Sequence, residues 1–271
     1  MIKFDIFALL LCLSLSTHAQ LSDLNARFSV SDEMQVCFSK GNLQYQPSTN
    51  TWRFAEHQWD ICGYHNSNIS PNNSEWIDLF GWGTGNDPTK TSENNADYST
   101  FSDWGNNCIS NGDNYKWRTL TTDEWLYVIL KRKTNSGIRY AKATVNGMCG
   151  VILLPDSWCP IYYYLSKANT YDASYKSNCI SEHDWIQHLE SNGTIFLPAA
   201  NSRRGKIYQH IPGGHEVGRY WSSTENEYDQ RFAYDMCFYD WLIYGSDSYC
   251  CYLSEAISVR LVREVNNNIL R

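Results

Sequence analysis

The side chains best able to do chemistry crowd into the stretch from Gly218 to Glu264. It opens on Tyr220-Trp221-Ser222-Ser223-Thr224 and closes on Ser258-Val259-Arg260-Leu261-Val262-Arg263, and the run between is rich in Tyr, Asp, Cys and Ser. Tyr234, Tyr239, Tyr244 and Tyr249 fall five apart. A strand repeats at about 2 residues and a helix at about 3.6, so no single buried face takes all four rings. Some must reach the surface, where a phenol offers a large rigid contact and one hydroxyl at low entropic cost. The candidate ligand contacts are Tyr228, Asp229, Tyr234, Tyr239, Asp240, Trp241, Tyr244, Asp247, Tyr249 and Tyr252, with Asp235 among them. Alternation along Phe232, Tyr234, Met236 and Phe238 predicts a strand that buries Phe232, Met236 and Phe238; Tyr234 is open to either side.

Other chemistry fares less well. Cys250 and Cys251 are neighbours, and neighbours on a strand point to opposite faces, so they do not converge on one metal. Asp184 and His188 stand four apart on a predicted helix, but two ligands without a third read as an ion pair. His210 and His215 lie in a glycine-rich loop with no matching cysteine or carboxylate spacing. Gly81-Trp82-Gly83-Thr84-Gly85 lacks the strand-to-helix setting of a phosphate loop, and no Gly-x-Ser-x-Gly, His-Glu-x-x-His or P-loop occurs. No catalytic residue, metal ligand or cofactor is assigned.

Elements must hold the tyrosine-rich run in place. Phe28 to Phe38 alternates as one strand; Leu43–Gln46 and Thr51–Ala55 read as a hairpin across Pro47-Ser48-Thr49-Asn50. From Ile61 to Asn114 the chain is loop, and Trp76, Phe80, Trp82, Phe101 and Trp104 pin it to the core. Thr121 or Thr122 caps a helix with Asp123 and Glu124 in its first turn, Lys131, Arg132 and Lys133 in its last, and Gly137 as its stop. Ile138–Val145 and Met148–Leu154 form a hairpin on Asn146-Gly147. Ser181 caps a second helix from Glu182 to Glu190, which Gly193 ends; Thr194–Leu197 is a buried strand and 198–214 a loop.

The whole chain has 271 residues, of which 15% are aromatic and 19% charged, with a formal charge of −7. That balance supports a core and argues against nucleic acid or an anionic membrane as partner. Residues 1–19 read as an export signal cleaved after Ala19: Lys3, an apolar run from Ile6 to Leu15, and small residues Thr17 and Ala19 at the cleavage site. The run is too short to anchor in a bilayer. The expected organisation is a signal (1–19), one domain (20–265) and a frayed tail (266–271). The expected location is secreted or at the cell surface. Export permits disulfides; beyond Cys12 nine cysteines remain, an odd number, and most are expected to be small buried residues with one or two bridges.

Trp117-Arg118-Thr119-Leu120-Thr121-Thr122-Asp123-Glu124-Trp125 resembles the helix start of the formylglycine-generating-enzyme-like branch of the C-type lectin fold. Together with Phe38-Ser39-Lys40-Gly41-Asn42-Leu43-Gln44-Tyr45, Phe196-Leu197-Pro198-Ala199-Ala200 and the two pieces that bound the tyrosine-rich run, it resembles the FISUMP family. Those major paralogous domains were first named from Fibrobacter and are common in secreted Bacteroidetes proteins. The resemblance covers nearly all of the chain after the signal. It implies an α+β, C-type-lectin-like fold with two helices, small twisted antiparallel sheets and long ordered loops. The related oxidases use a copper-binding cysteine pair, whose context Cys250-Cys251 does not share. Calcium-dependent lectins need Glu-Pro-Asn or Gln-Pro-Asp and Trp-Asn-Asp, and none of these occurs. Variable proteins of diversity-generating retroelements display hypermutated residues on this fold, and residues 228–252 are rich in the residue types that adenine mutagenesis yields. The resemblance therefore implies a non-catalytic module that binds an unknown protein or glycan. The alternatives are a structural or adhesive pilus-tip or surface component and, third, an oxidase like the formylglycine-generating enzymes.

Overall fold

A computed structural model describes residues 26–211, 216–244 and 250–265. The chain is an α+β protein, mostly sheet, with two short helices. The expected signal (1–19), the tail (266–271), Asp247 and Tyr249 lie outside the described residues.

The largest sheet runs Ile207–Gln209, Ser202–Arg204, Glu255–Ser258, Gly218–Glu225, Phe232–Tyr239, Leu242–Tyr244, with Leu79–Phe80 added to Glu255–Ser258 and Cys250–Tyr252 to Phe232–Tyr239. A second sheet joins Cys179–Ile180, Tyr140–Val145, Met148–Leu153 and Ile195–Pro198. The Met148 hairpin turns as expected on Asn146 (φ 49°) and Gly147 (φ 80°), the left-handed pair such a turn requires. Leu43–Gln46 pairs with Thr51–Phe54, and Asn50 takes φ 50° between them.

Three elements differ from expectation. Phe28–Phe38 is not one strand but a tight hairpin, Phe28–Ser29 against Gln35–Phe38. Its turn is set by the Ser31 hydroxyl, which accepts from the amides of Glu33 (3.2 Å) and Met34 (3.0 Å). Such local side-chain bonding competes with extended pairing. The helix opens on Thr121, whose side chain and Glu124 form a reciprocal capping box. It runs as α-helix only over Thr122–Leu126, widens to a π-helix over Tyr127–Lys131, and stops where Arg132 turns extended, before Gly137. Third, the loop from Pro198 contains the Ser202–Arg204/Ile207–Gln209 hairpin, turned at Gly205 (φ 55°). The second helix, capped by Ser181, is likewise α over Glu182–Asp184 and π over Trp185–Leu189 before Gly193 (φ 79°).

The motif pieces meet inside. Tyr220 Oη donates to the Pro198 carbonyl (2.8 Å) and accepts from Asn42 Nδ2 (3.2 Å), and Arg260 donates to Asn42 Oδ1 (3.3 Å) and Gln58 Oε1 (2.8 Å). The Trp125 indole donates to the Trp221 carbonyl (3.3 Å), the Trp221 indole to Phe80 (2.7 Å) and the Trp82 indole to Ser222 (3.0 Å). Trp221 and Arg260 are structural, as their positions bracketing the tyrosine-rich run imply. Phe80, Trp82 and Trp104 are buried and do pin the loops; Trp76 stays half-buried under the Arg53 guanidinium, 3.9 Å from its ring centre. At Gly218 an added Cβ would overlap the buried Phe238 ring, which explains the glycine at the start of that strand.

All nine cysteines in the described residues are free thiols, against the expected one or two bridges. Fewer than expected are buried: Cys37, Cys62, Cys237 and Cys251. Cys108, Cys159 and Cys179 are exposed.

Candidate binding face

Phe232–Tyr239 is the axis of the candidate face. One edge pairs along its length with Gly218–Glu225. The other pairs with Cys250–Tyr252 near its start and Leu242–Tyr244 near its end. Seven residue steps at about 3.3 Å separate Phe232 from Tyr239, so the strand holds its two ends about 23 Å apart. The residues expected to share one face therefore fall into two patches.

The first patch contains Tyr228, Asp229, Tyr252 and the start of the strand. Tyr228 is 85% exposed and Tyr252 48%. Tyr252 stacks on Phe232 with ring centres 4.4 Å apart and planes at 27°. Phe232 thus works at the surface, not in the core as its alternation predicts; its cross-strand partner Tyr252 covers it instead of an interior neighbour. The turn before it is tied down: Asn226 Oδ1 accepts from the amides of Tyr228 (2.9 Å) and Asp229 (3.2 Å). Arg231 grips Asp229 through Nη2 (2.6 Å) and Nε (2.9 Å) while its guanidinium lies 5.7 Å from the Phe232 ring centre. That hydrogen bonding holds the Asp229 carboxyl at about 2, so it is charged at any physiological pH. Arg231 carries no periodicity signal and sequence reasoning missed it.

The second patch contains Tyr239 and Trp241, stacked at 5.6 Å and 21°, with Trp241 54% exposed. Asp240 between them turns inward, in contrast to its expected role as a contact. Its Oδ1 accepts from Ser174 Oγ (2.9 Å) and the Tyr175 amide (2.7 Å), and its carbonyl accepts from Lys142 Nζ (3.2 Å). It fastens the hairpin to the neighbouring loop. The backbone of Tyr244 pairs with Cys237.

Between the patches, Tyr234 is half-buried and Asp235 is fully buried, paired with Arg219 through Nε–Oδ2 (2.8 Å) and Nη2–Oδ1 (3.0 Å). Asp235 is therefore no ligand contact. Burial pushes its carboxyl up, and Arg219 offsets part of that rise. Met236 and Phe238 are buried as expected. Cys251 faces the core and Cys250 is half-buried beside Tyr234, on opposite sides of their strand. Among the described residues no group of three or more His, Cys, Asp or Glu could hold a metal ion, and no helix is long and apolar enough to cross a membrane.

Lys142 is 1% exposed and spans the Tyr171 carbonyl (2.8 Å) and that of Asp240. Burial lowers it to about 8, against the pull of Asp240 and Asp172. The sign of the linkage follows. Between about pH 8 and the unfolded value of about 10.4, the unfolded chain keeps a proton that the folded chain has lost, so stability rises with pH. Relative to Lys142→Met, the wild type is expected to gain up to about 1.4 kcal/mol per pH unit across that window. Urea midpoints at several pH values would show it; parallel curves for the two proteins would refute it.

Comparison of the chain with protein-family models, with curated proteins and with solved structures returned no match.

Proposed function

We propose that the protein is a non-catalytic binding module of C-type-lectin-like fold and a member of the FISUMP family. It is exported to the cell surface or beyond, where it recognises a protein or glycan through its C-terminal face. The observation that carries this reading is the first patch: an exposed Tyr228 on a tied turn that leads into the strand of the stacked Phe232–Tyr252 pair. Rigid aromatic faces backed by a well-packed body lose little entropy on binding and are favoured as interface anchors. Arg231 adds a cation at the rim, already oriented by Asp229. Trp241 with Tyr239 offers a second anchor about 23 Å away, so the surface gripped is extended.

A retroelement-diversified surface fits the same geometry. Tyr228, Trp241 and Tyr252 stand outside, while Asp235, Met236 and Phe238 are buried and closed to free variation. A reverse transcriptase and template repeat in the adjoining DNA would be its mark.

The test is a glycan and surface-protein array probed with the full chain and with Tyr228→Ala/Tyr252→Ala. The double variant is expected to lose about 2 kcal/mol or more in affinity for the array hit, roughly thirtyfold, while the lost Phe232–Tyr252 stack costs about 1 kcal/mol or less of folding stability. Retained affinity, or no saturable ligand on either array, would count against the proposal.

A further inference from the structure

A hollow of about 420 Å³ shares no residue with either aromatic patch. Binding sites for small molecules run from roughly 300 to 1,000 Å³, so the space is large enough for one. The Leu43–Gln46/Thr51–Phe54 hairpin supplies Gln44 and Arg53, which stand opposite each other across the ladder and both line the hollow. Arg53 Nε donates to Gln44 Oε1 (2.9 Å). Gln44 is buried, and its Nε2 donates to Cys62 Sγ (3.5 Å), which orients its amide. The Arg53 guanidinium also lies 3.9 Å from the centre of the Trp76 ring, a cation–π contact. Two neutral groups therefore hold it in place.

Neither contact neutralises the charge. Among the described residues Arg53 forms no ion pair, and its Nη1 and Nη2 donate to nothing in the protein while staying open to solvent. A planar fork that is half-buried and already oriented loses little freedom when it takes a carboxylate through two parallel hydrogen bonds. The other walls narrow the choice of anion. Asp60 and Glu75 line the same hollow, so a dianion such as sulfate meets twice the repulsion that a monocarboxylate does. Ile61 and Met148 offer half-buried apolar surface for a carbon chain. The chain's net charge of −7 works against any anion at long range, but at about 0.15 M salt that field is screened beyond about 8 Å, and the local fork decides.

We infer that this hollow is a binding site for a carboxylate group, with Arg53 Nη1 and Nη2 donating to its two oxygens and Ile61 and Met148 packing the carbon chain behind it. A free short-chain carboxylic acid and the C-terminal carboxylate of a peptide share that chemistry. A primary amide has one acceptor oxygen and no charge, and sulfate has the charge without the apolar chain, so both are expected to bind worse. The inference does not depend on the tyrosine patches.

The experiment is titration of the full chain with sodium butyrate, N-acetyl-2-aminobutyrate, butyramide and sodium sulfate at equal ionic strength, followed by the nitrogen–proton NMR signals of the Arg53 Nε and the Trp76 indole. One or both carboxylates should shift these signals and saturate at millimolar concentration, with butyramide and sulfate at least about tenfold weaker. Tighter binding of the N-acetyl compound assigns the site to peptide ends, and of butyrate to free acids. Arg53→Lys keeps the charge and removes the fork, and should weaken both carboxylates about tenfold or more. Equal binding of butyramide and butyrate would overturn the assignment, as would sulfate binding as tightly as butyrate. So would wild-type affinity in Arg53→Lys, or no saturation by either carboxylate at about 100 mM. Should Arg53→Lys fail to fold, the ligand ranking on the unaltered chain still decides.

Discussion

Asp235→Ala is expected to cost about 3–5 kcal/mol of folding stability. The carboxylate is fully buried and meets the Arg219 guanidinium through two parallel hydrogen bonds of 2.8 and 3.0 Å. Removing it leaves a guanidinium that is only 17% exposed facing a gap. The pair itself is not the source of the loss, because two buried charges recover little more than their desolvation. The loss comes from taking the opposite charge away from one of them. Arg219→Met/Asp235→Leu should therefore be less harmful than Asp235→Ala alone, since it removes both charges of the pair. Urea unfolding followed by far-ultraviolet circular dichroism would measure both. A loss below about 1 kcal/mol in Asp235→Ala would mean that Arg219 finds water or another acceptor when its partner is gone. The variant also separates scaffold from surface. Asp235 sits on the strand that holds both aromatic patches, so its loss should lower stability and ligand capture together. Tyr228→Ala/Tyr252→Ala should lower capture at a cost in stability of about 1 kcal/mol or less.

What the sequence made legible was the interior. Phe38–Tyr45, Trp117–Trp125, Phe196–Ala200, Tyr220–Thr224 and Ser258–Arg263 could be picked out because their residue choices are over-determined: each supplies a buried partner to another. Asn42, Tyr220, Pro198 and Arg260 form one hydrogen-bonded cluster, and Trp125, Trp221 and Phe80 form a second. Turn chemistry was equally readable at Asn146-Gly147 and Gly193, where positive φ restricts the choice of residue. The surface was less so. Asp235 and Asp240 look like Asp229 in a Tyr/Asp-rich run, yet one is half-buried on a turn, one wholly buried against an arginine and one bonded to a loop 65 residues earlier in the chain. Nothing local separates them, because the deciding partners, Arg219, Ser174 and Tyr175, are remote in the chain. Phe232 misled for a related reason: strand alternation predicts a face, but Tyr252 across the ladder decides whether that face meets core or solvent.

Arg132→Met is expected to match the Asp235 variant in severity, about 3–5 kcal/mol, by a different route. The arginine side chain is wholly inaccessible. Nη1 donates to the Leu154 carbonyl (2.6 Å) and Asp156 Oδ1 (2.9 Å), Nη2 to Arg139 (3.2 Å) and Nε to Val128 (3.3 Å). Asp156 Oδ2 in turn accepts from the Ser29 amide (2.9 Å), the Ser29 hydroxyl (2.6 Å) and Gln35 (2.9 Å). One guanidinium thus joins the end of the first helix to the Tyr140–Leu153 hairpin and, through Asp156, to the N-terminal hairpin. That hairpin pairs with Val262–Glu264, the strand that follows the tyrosine-rich run. Methionine keeps the volume and removes the guanidinium donors to Asp156 Oδ1 and to the Leu154, Arg139 and Val128 carbonyls at once, although the Arg139 carbonyl keeps the Leu154 amide (2.9 Å). Burial lowers the arginine's hold on its proton, and Asp156 opposes this. Arg132→Lys distinguishes charge from geometry. An ammonium can meet Asp156 but cannot reach all four acceptors with a planar fork, so lysine should recover less than half of the loss. Hydrogen exchange should show protection falling first in Phe28–Phe38 and Val262–Glu264, with the Tyr140–Leu153 hairpin affected less. Full recovery by lysine would show that the ion pair, and not the fork of hydrogen bonds, holds the two ends of the domain together.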